Sequence, residues 1–315
     1  MVTQRGLVYS VVVPMKDEAG NIPQLDMEIK EVMSKLGSYE IIYVNDGSRD
    51  NTLAELKKLK KVKIINFNRN YGQAIATDAG FKEAKGDIII TLDGDLQNDP
   101  KDIPRLLNEL KEKNLDVVAG WRKNRKDKGG IKLLSRFGHF LRKSLIQDPV
   151  HDTGCTLRVY KKEAAKSLDL WGDMHRYILA LLKWKGFTIG ELEVNHRERT
   201  AGKTKYGYGK ATRGFIDLLY IWFIQKYSSR PLHIFGYLSF FLFIAGIISG
   251  LWSLYQRIFQ GLSLNRNGWF FLAIAGITAA VLFFSFGLIM DLLIRMQLNI
   301  SDVEKRYYIR DVIVT

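Results

Sequence analysis

The stretch TLDGDLQNDP, Thr91–Pro100, decides how this chain is read. It follows the apolar run Ile88-Ile89-Ile90, so a strand delivers three acidic residues, Asp93, Asp95 and Asp99, to its own exit. Like charges this close repel, and something positive belongs among them: a metal ion, an arginine or a helix N-terminus. Asp95 and Gln97 offer hard oxygen ligands two residues apart, and alternate positions of an extended segment point to one side. Such ligands, completed by phosphate and water, suit magnesium or manganese. Asp99, directly before Pro100, reads instead as the cap of the next helix.

Working outward, apolar β-branched runs alternate with amphipathic ones. Strands are expected over Leu7–Pro14, Glu40–Asn45, Val62–Phe67, Asp87–Leu92 and Asp116–Gly120. Helices are expected over Asn21–Leu36, Asn51–Leu59, Gln73–Ala84 and Pro100–Lys113, with Asn21 and Asp50 as caps. This is the pattern of an α/β fold, a mostly parallel sheet with helices on both faces. Such sheets bind ligands at the carboxyl ends of their strands. The polar clusters fall there: Lys16-Asp17-Glu18, Asn45-Asp46-Gly47-Ser48, Asn68-Arg69-Asn70 and the acidic stretch above. Four clusters at successive strand exits point to one site.

The net charge of +14 implies a polyanionic partner: nucleic acid, an anionic membrane surface or a phosphorylated substrate. The single cysteine, Cys155, excludes an internal disulfide and reads as a small packed residue. The N-terminus enters a strand without a charged-then-apolar leader, so no signal peptide is read. Two segments, Leu232–Tyr255 and Trp269–Met290, contain no charged residue, and each exceeds the ~20 apolar residues that span a bilayer. The connector Gln256–Gly268 is short and carries only Arg257 and Arg266, so the spans form a hairpin with the basic body in the cytoplasm. These spans, with no aromatic-basic platform for single strands, argue against nucleic acid. Phe215, Leu218, Leu219, Trp222 and Phe223 recur at helical spacing, as in a helix that lies in the membrane interface or packs against the main body of the chain.

Taken together, the motifs resemble the catalytic domain of glycosyltransferase family 2. VVVPMKDEAGN at Val11–Asn21 resembles its first strand and base-binding loop, NDGSRDNT at Asn45–Thr52 its second, and DGDLQ its metal motif. GWR at Gly120–Arg122, DTGCTLRVY at Asp152–Tyr160 and NHRERTAGKTKYG at Asn195–Gly207 look like the branch that uses polyprenyl-phosphate acceptors, which includes dolichol-phosphate mannose synthases and bactoprenol glucosyltransferases. PMKDE departs from the commoner P-T-Y-N-E, which removes the aromatic that normally stacks on the base. No Q-x-x-R-W occurs, unlike in processive polysaccharide synthases.

The resemblance implies a GT-A, Rossmann-like catalytic domain over 1–207, a juxtamembrane region of amphipathic helices over 208–231, a transmembrane hairpin over 232–294 and a cytoplasmic tail over 295–315. It implies that Pro14, Glu18 and Asp46 lie along base and ribose, and that Asp93 lies by ribose or sugar. Asp95 and Gln97 would hold Mg2+ or Mn2+ on the diphosphate, and Arg122 would meet donor phosphate or sugar. Arg199 and Lys205, flanking TAGKT before the membrane region, would bind the acceptor phosphate, arginine with two bonds and lysine as a point charge. Asp152, presented by a turn that Gly154 permits, is the catalytic candidate. The acceptor phosphate, with a second pKa of about 6, already carries its charge in the cytosol. Asp152 is therefore expected to orient the nucleophile or sugar more than to act as a base.

The implied activity is inverting transfer of one sugar from a nucleotide diphosphate to a polyprenyl phosphate at the cytoplasmic membrane face. A uridine diphosphate sugar is favoured, with guanosine diphosphate mannose as the alternative, and a homo-oligomer up to a tetramer is implied. Two rivals are a glycosyltransferase using diacylglycerol or ceramide and a membrane scaffold that binds nucleotide sugars without turnover. His175, in GDMHRYI, reads as structural or as shaping the acceptor site rather than as a metal ligand, since no Cys/His cluster accompanies it. The tail Tyr307–Val314 alternates weakly and is left as an added strand or a contact with a neighbour.

Overall fold

A computed structural model describes residues 8–123, 150–197, 220, 222–223, 226–227, 231–299 and 309–314. The chain divides into two units, Met1–Asp217 with Lys305–Thr315, and Leu218–Glu304.

The first unit is built on one sheet of eight strands: β1 (Tyr9–Met15), β2 (Tyr39–Asn45), β3 (Lys63–Phe67), β4 (Ile88–Thr91), β5 (Val117–Trp121), β6 (Arg158–Lys161), β7 (Ile189–Glu193) and β8 (Ile309–Val314). Their order is β7-β5-β6-β4-β1-β2-β3-β8. The first four strands are mutually parallel, as crossover helices require. β6 runs antiparallel to both β4 and β5, and β8 antiparallel to β3. The five strands expected from the apolar alternation are all present, their ends shifted by at most two residues.

The helices are α1 (Ile22–Met33), α2 (Thr52–Lys58), α3 (Gln73–Glu83), α4 (Ile103–Glu112), α5 (Lys162–Lys166) and α6 (Ile178–Trp184). Period-two alternation sends Val11, Val13, Ile41, Tyr43, Ile64 and Ile90 to one face, where they form a core with the apolar stripes of α1, α2 and α4. α3 covers the other face so closely that a Cβ on Gly80 would strike Val12. This packing carries β1 to β4 in register, so their carboxyl ends open on one edge.

The second unit contains α7 (Pro231–Gln260) and α8 (Gly268–Asn299). At ~1.5 Å per residue each exceeds the ~30 Å of a bilayer's hydrocarbon core. Two candidate spans, Pro231–Gln260 and Gly268–Leu293, are long and apolar enough to cross. Phe241 and Phe259 are 68% and 72% exposed, as no core helix of a soluble protein would leave them. The helices meet through small residues: Gly276 lies against Gly246, Ser239 Oγ donates to the Ala280 carbonyl at 2.7 Å, and Ser249 and Ala273 are buried. The juxtamembrane stretch is described only at Tyr220, Trp222, Phe223, Lys226 and Tyr227, where Lys226 lies over the Trp222 and Tyr227 rings. The second candidate span ends at Leu293, and α8 continues beyond it to Asn299, into the segment expected as the tail. Its last part, β8, belongs to the catalytic sheet.

Candidate active site

The parallel strands end in a cavity of about 510 Å3 whose walls include Pro14, Glu18, Asp46, Asp93, Asp95 and Arg176. Its nearer wall is two motifs bonded to each other. Asp17 adopts φ 57°, its N–H donates to Ser48 Oγ at 3.0 Å, and its carboxylate accepts the Arg49 N–H at 2.7 Å. Glu18 N–H donates to Thr52 Oγ1 at 2.9 Å, and Ala19 N–H to Asp50 at 3.2 Å. NDGSRDNT thus builds the loop that presents Glu18. Asp50, expected to cap α2, does accept the Thr52 N–H at 3.0 Å, although Asn51 occupies the cap position. Gly47, at φ 59°, is where two loops touch: a Cβ would collide with the backbone of Arg69 and Asn70.

Asp46 is 4% exposed and is satisfied by the loop before α3. Its carboxylate accepts the N–H groups of Tyr71 at 2.7 Å and Gly72 at 3.0 Å, and the Asn70 amide. Burial still raises its pKa, opposed by those N–H groups and by Lys16. Asp46 lines the cavity as expected, and also latches the wall. Lys16, another wall residue, stands where the commoner motif carries its aromatic.

At the exit of β4, Asp93 and Asp95 both face the cavity. Gln73, the first residue of α3, donates its amide to Asp93 Oδ1 at 2.8 Å. Burial first, and then the Asp95 carboxylate, push Asp93 up to about 6, against the pull of Thr156, Arg122 and Arg158. The extended geometry assumed for Asp95 and Gln97 is not what forms. Leu96 is buried in the left-handed region at φ 63°, so the segment turns, and Gln97 is not among the cavity-lining residues. Instead the Gln97 N–H donates to Asp95 Oδ1 at 3.1 Å and its carbonyl accepts the Arg197 N–H at 3.0 Å. Asp99 caps the following turn through the Lys101 N–H at 3.0 Å.

No group of three or more acidic, histidine or cysteine side chains arranged to hold a metal occurs among the described residues. Two carboxylates facing one cavity, Asp93 with its proton affinity raised by burial and by Asp95, nevertheless fit a divalent cation, which would take its other ligands from phosphate and water.

Asp152 and Arg122 were expected to act on the substrate, and the structure joins them to each other. Arg122 grips the Asp152 carboxylate with Nε at 2.7 Å and Nη2 at 3.0 Å, and the Arg122 and Gly154 N–H groups donate to it as well. Both side chains are largely buried. Burial alone would raise Asp152, but the bonds and charge of Arg122 outweigh it and hold the carboxyl below its ordinary range. Glu191 on β7 fixes the backbone of this turn, accepting the His151 and Asp152 N–H groups at 3.0 Å. His151 also stacks on Trp121 with ring centres 4.7 Å apart. Beneath, Arg158 is 3% exposed and donates to the Cys155 and Thr153 carbonyls at 2.8 and 2.7 Å. Cys155 is buried and its thiol is pushed up to about 11, as a packed residue should be.

Arg199 and Lys205 lie outside the described residues. The chain leading to them is anchored: Arg197 pairs with Glu28 and with Asp99, both at 2.7 Å, beside the acidic turn.

Sequence reasoning read one wall only in part: His175 was taken as structural or as shaping the acceptor site, and Asp173 and Arg176 were given no role. Asp173, His175 and Arg176 line the cavity from a turn that packs on α3. The signal was present in GDMHRYI, but no spacing rule ties a lone His-Arg pair to a strand exit 80 residues earlier.

The family described as "Glycosyl transferase family 2" matches residues 10–169. The chain is 32% identical to dodecaprenyl-phosphate galacturonate synthase of Rhizobium johnstonii, over 98% of this chain and 94% of that protein. It is 31% identical to undecaprenyl-phosphate 4-deoxy-4-formamido-L-arabinose transferase of Shewanella sediminis, over 97% and 92%. Among solved structures it resembles glucosyl-3-phosphoglycerate synthase of Mycobacterium tuberculosis, crystallised with Mn2+, uridine diphosphate and glucosyl-3-phosphoglycerate (TM-score 0.53, 18% identity, 69% of this chain and 80% of that one). Mannosyl-3-phosphoglycerate synthase of Rubrobacter xylanophilus gives a TM-score of 0.55 at 15% identity, over 70% and 75%. These two likenesses establish the fold: a GT-A-like sheet. With its motifs at the strand exits and its relatives matched nearly end to end, the chain belongs to glycosyltransferase family 2.

Proposed function

We propose that this protein transfers one sugar from a nucleotide diphosphate to a polyprenyl phosphate, with inversion, at the cytoplasmic face of a membrane. The carrying observation is a cavity at the strand ends, with Asp93 and Asp95 paired in its floor, in a chain that also holds two apolar helices of spanning length. Relatives that act on polyprenyl phosphates support the acceptor class. Magnesium or manganese held at Asp95 would neutralise the leaving diphosphate. Gln97 could add a ligand only by turning its side chain into the cavity. Pro14, Glu18 and Asp46 bound the base and ribose end, where uridine is favoured over guanosine. Arg122 acts with Asp152, whose depressed pKa suits orientation of the reactants. Incubating purified protein with polyprenyl phosphate and a panel of uridine and guanosine diphosphate sugars should give one lipid-phosphate sugar, identified by mass. Formation of a lipid glycoside from diacylglycerol or ceramide instead would overturn the acceptor class. Assembly as a homo-oligomer rests on the resemblance alone, and light scattering in detergent decides it.

Arg199 and Lys205 serve the acceptor phosphate in this reading. A charged hydrogen bond contributes about 1.5–3 kcal/mol, so Arg199→Ala should lower transfer by roughly ten- to hundred-fold. Calorimetry should find nucleotide-sugar affinity nearly unchanged. Loss of donor affinity with an unaltered response to acceptor concentration would move these residues to the nucleotide.

The tail supports both flanks of the hairpin lying on one side, and the few basic residues of the connector favour that side being the cytoplasm. β8 pairs with β3, so the chain after the hairpin returns to the catalytic sheet, as an even number of spans allows. With Cys155 removed, a cysteine placed at Ser263 should react with an impermeant thiol reagent in intact cells. Protection at that position, with labelling of a cysteine placed instead at the exposed Lys111 of the catalytic unit, would reverse the orientation.

A further inference from the structure

His175 is a cavity-lining group that the reading above leaves without work. It lies in the turn that packs on α3, whose first residue, Gln73, holds Asp93. Its Nδ1 is buried without a hydrogen-bond partner. A buried N–H with no acceptor is rarer and costlier than a lone pair with no donor. The proton of the neutral ring therefore sits on Nε2, which no described residue engages. Burial, and then the neighbouring Arg176, push the imidazole down to about 4, so it carries no charge near neutrality. The remaining surroundings are Asp173, which opposes that shift weakly, and Arg158 beneath, which adds to it. Arg176 makes no ion pair among the described residues and lines the same cavity as Asp93, Asp95 and Asp173.

We propose that His175 is a sugar-contacting residue that donates one uncharged hydrogen bond, through Nε2–H, to an oxygen of the sugar being transferred. This rests on the donor reading above. The base and ribose end is bounded by the exits of β1 to β3 and the diphosphate end by Asp95, with Asp93 beside the ribose or sugar. The wall formed by residues 173–176 is what remains for the sugar. A neutral donor suits a hydroxyl or ring oxygen, whereas a charged one would compete for the diphosphate.

The test uses the full-length protein with manganese, uridine or guanosine diphosphate, and the corresponding nucleotide sugars. His175→Leu should bind the bare nucleoside diphosphate within about two-fold of wild type and the nucleotide sugar about five- to ten-fold more weakly, one neutral hydrogen bond's worth. Its melting temperature without ligand should be unchanged or higher, because an unpartnered buried nitrogen has been removed. His175→Gln, whose amide places a donor close to Nε2, should recover most of the loss. Equal weakening of both ligands, a fall in melting temperature without ligand, or no rescue by glutamine overturns the assignment. If the wild type binds nucleoside diphosphate and nucleotide sugar but His175→Leu alters neither, this inference alone falls. If the wild type binds no nucleoside diphosphate, the donor reading falls and takes it along.

Discussion

Asp95→Asn should lower sugar transfer by about a hundred- to a thousand-fold while leaving the protein folded. The expectation comes from charge. Asp93 and Asp95 line one cavity, and the Asp95 carboxylate, after burial, makes ionisation of Asp93 harder. A divalent cation bound there would reverse that: the two carboxylates would become a site, and the leaving diphosphate would be stabilised by several kcal/mol. Removing one charge removes most of that stabilisation, and about 3–4 kcal/mol corresponds to the stated loss. The free protein should not suffer, since repulsion with Asp93 is relieved. Thermal melting separates the two effects. Manganese with uridine diphosphate should raise the melting temperature of the wild type by mass action and hardly move that of Asp95→Asn. A variant that keeps the wild-type metal dependence would place the cation elsewhere.

The legibility of the sequence divides along a physical line. Strands β1 to β5 were readable because each is an apolar run bounded by turn residues, and burial on both faces of a parallel sheet writes that pattern directly. The loops that present Glu18 and Asp46 were readable because family motifs cover them. The geometry inside the motifs was not. Asp95 and Gln97 were placed side by side on the assumption of extended chain, and a left-handed Leu96 breaks it. Nothing in a buried leucine announces that conformation, because tertiary packing imposes it. β6 and β7 escaped because Arg158–Lys161 and Ile189–Glu193 mix charge with short apolar runs, and their antiparallel or edge placement depends on partners far away in sequence. β8 was half legible: its alternation showed, but its partner did not. His175 and Arg176 reached the cavity by the same long-range route. The residues of the site that could be read carry their context next to them, and those that could not acquire it only on folding.

Asp152 and Arg122 give the second large effect. The sequence offered them as separate actors, but they form a bidentate pair that is mostly out of solvent. Removing one member of such a pair strands the other, which typically costs 3–5 kcal/mol when burial is complete and less at the exposure seen here. Asp152→Ala and Arg122→Ala should therefore each destabilise the protein by about 2–4 kcal/mol, and the double variant by clearly less than their sum. The sign with pH follows from the depressed carboxyl. A folded pKa below the unfolded value, about 3.9, stabilises the protein above that value, and the contribution is lost as pH falls through the folded pKa. From neutral pH down to about 5 the contribution of the pair to unfolding should be nearly flat, with the loss confined to stronger acid. Catalysis carries the same signature. An orienting carboxylate that stays ionised puts no inflection near neutrality into the pH profile of turnover, whereas a general base poised to accept a proton would. Asp152→Asn should lower turnover by about ten- to hundred-fold, since the guanidinium loses the charge that aims it. The wild-type and variant profiles should remain parallel above pH 6. An inflection between pH 6 and 7 that is present in the wild type and absent from Asp152→Asn would make Asp152 the base and the ion pair a resting state.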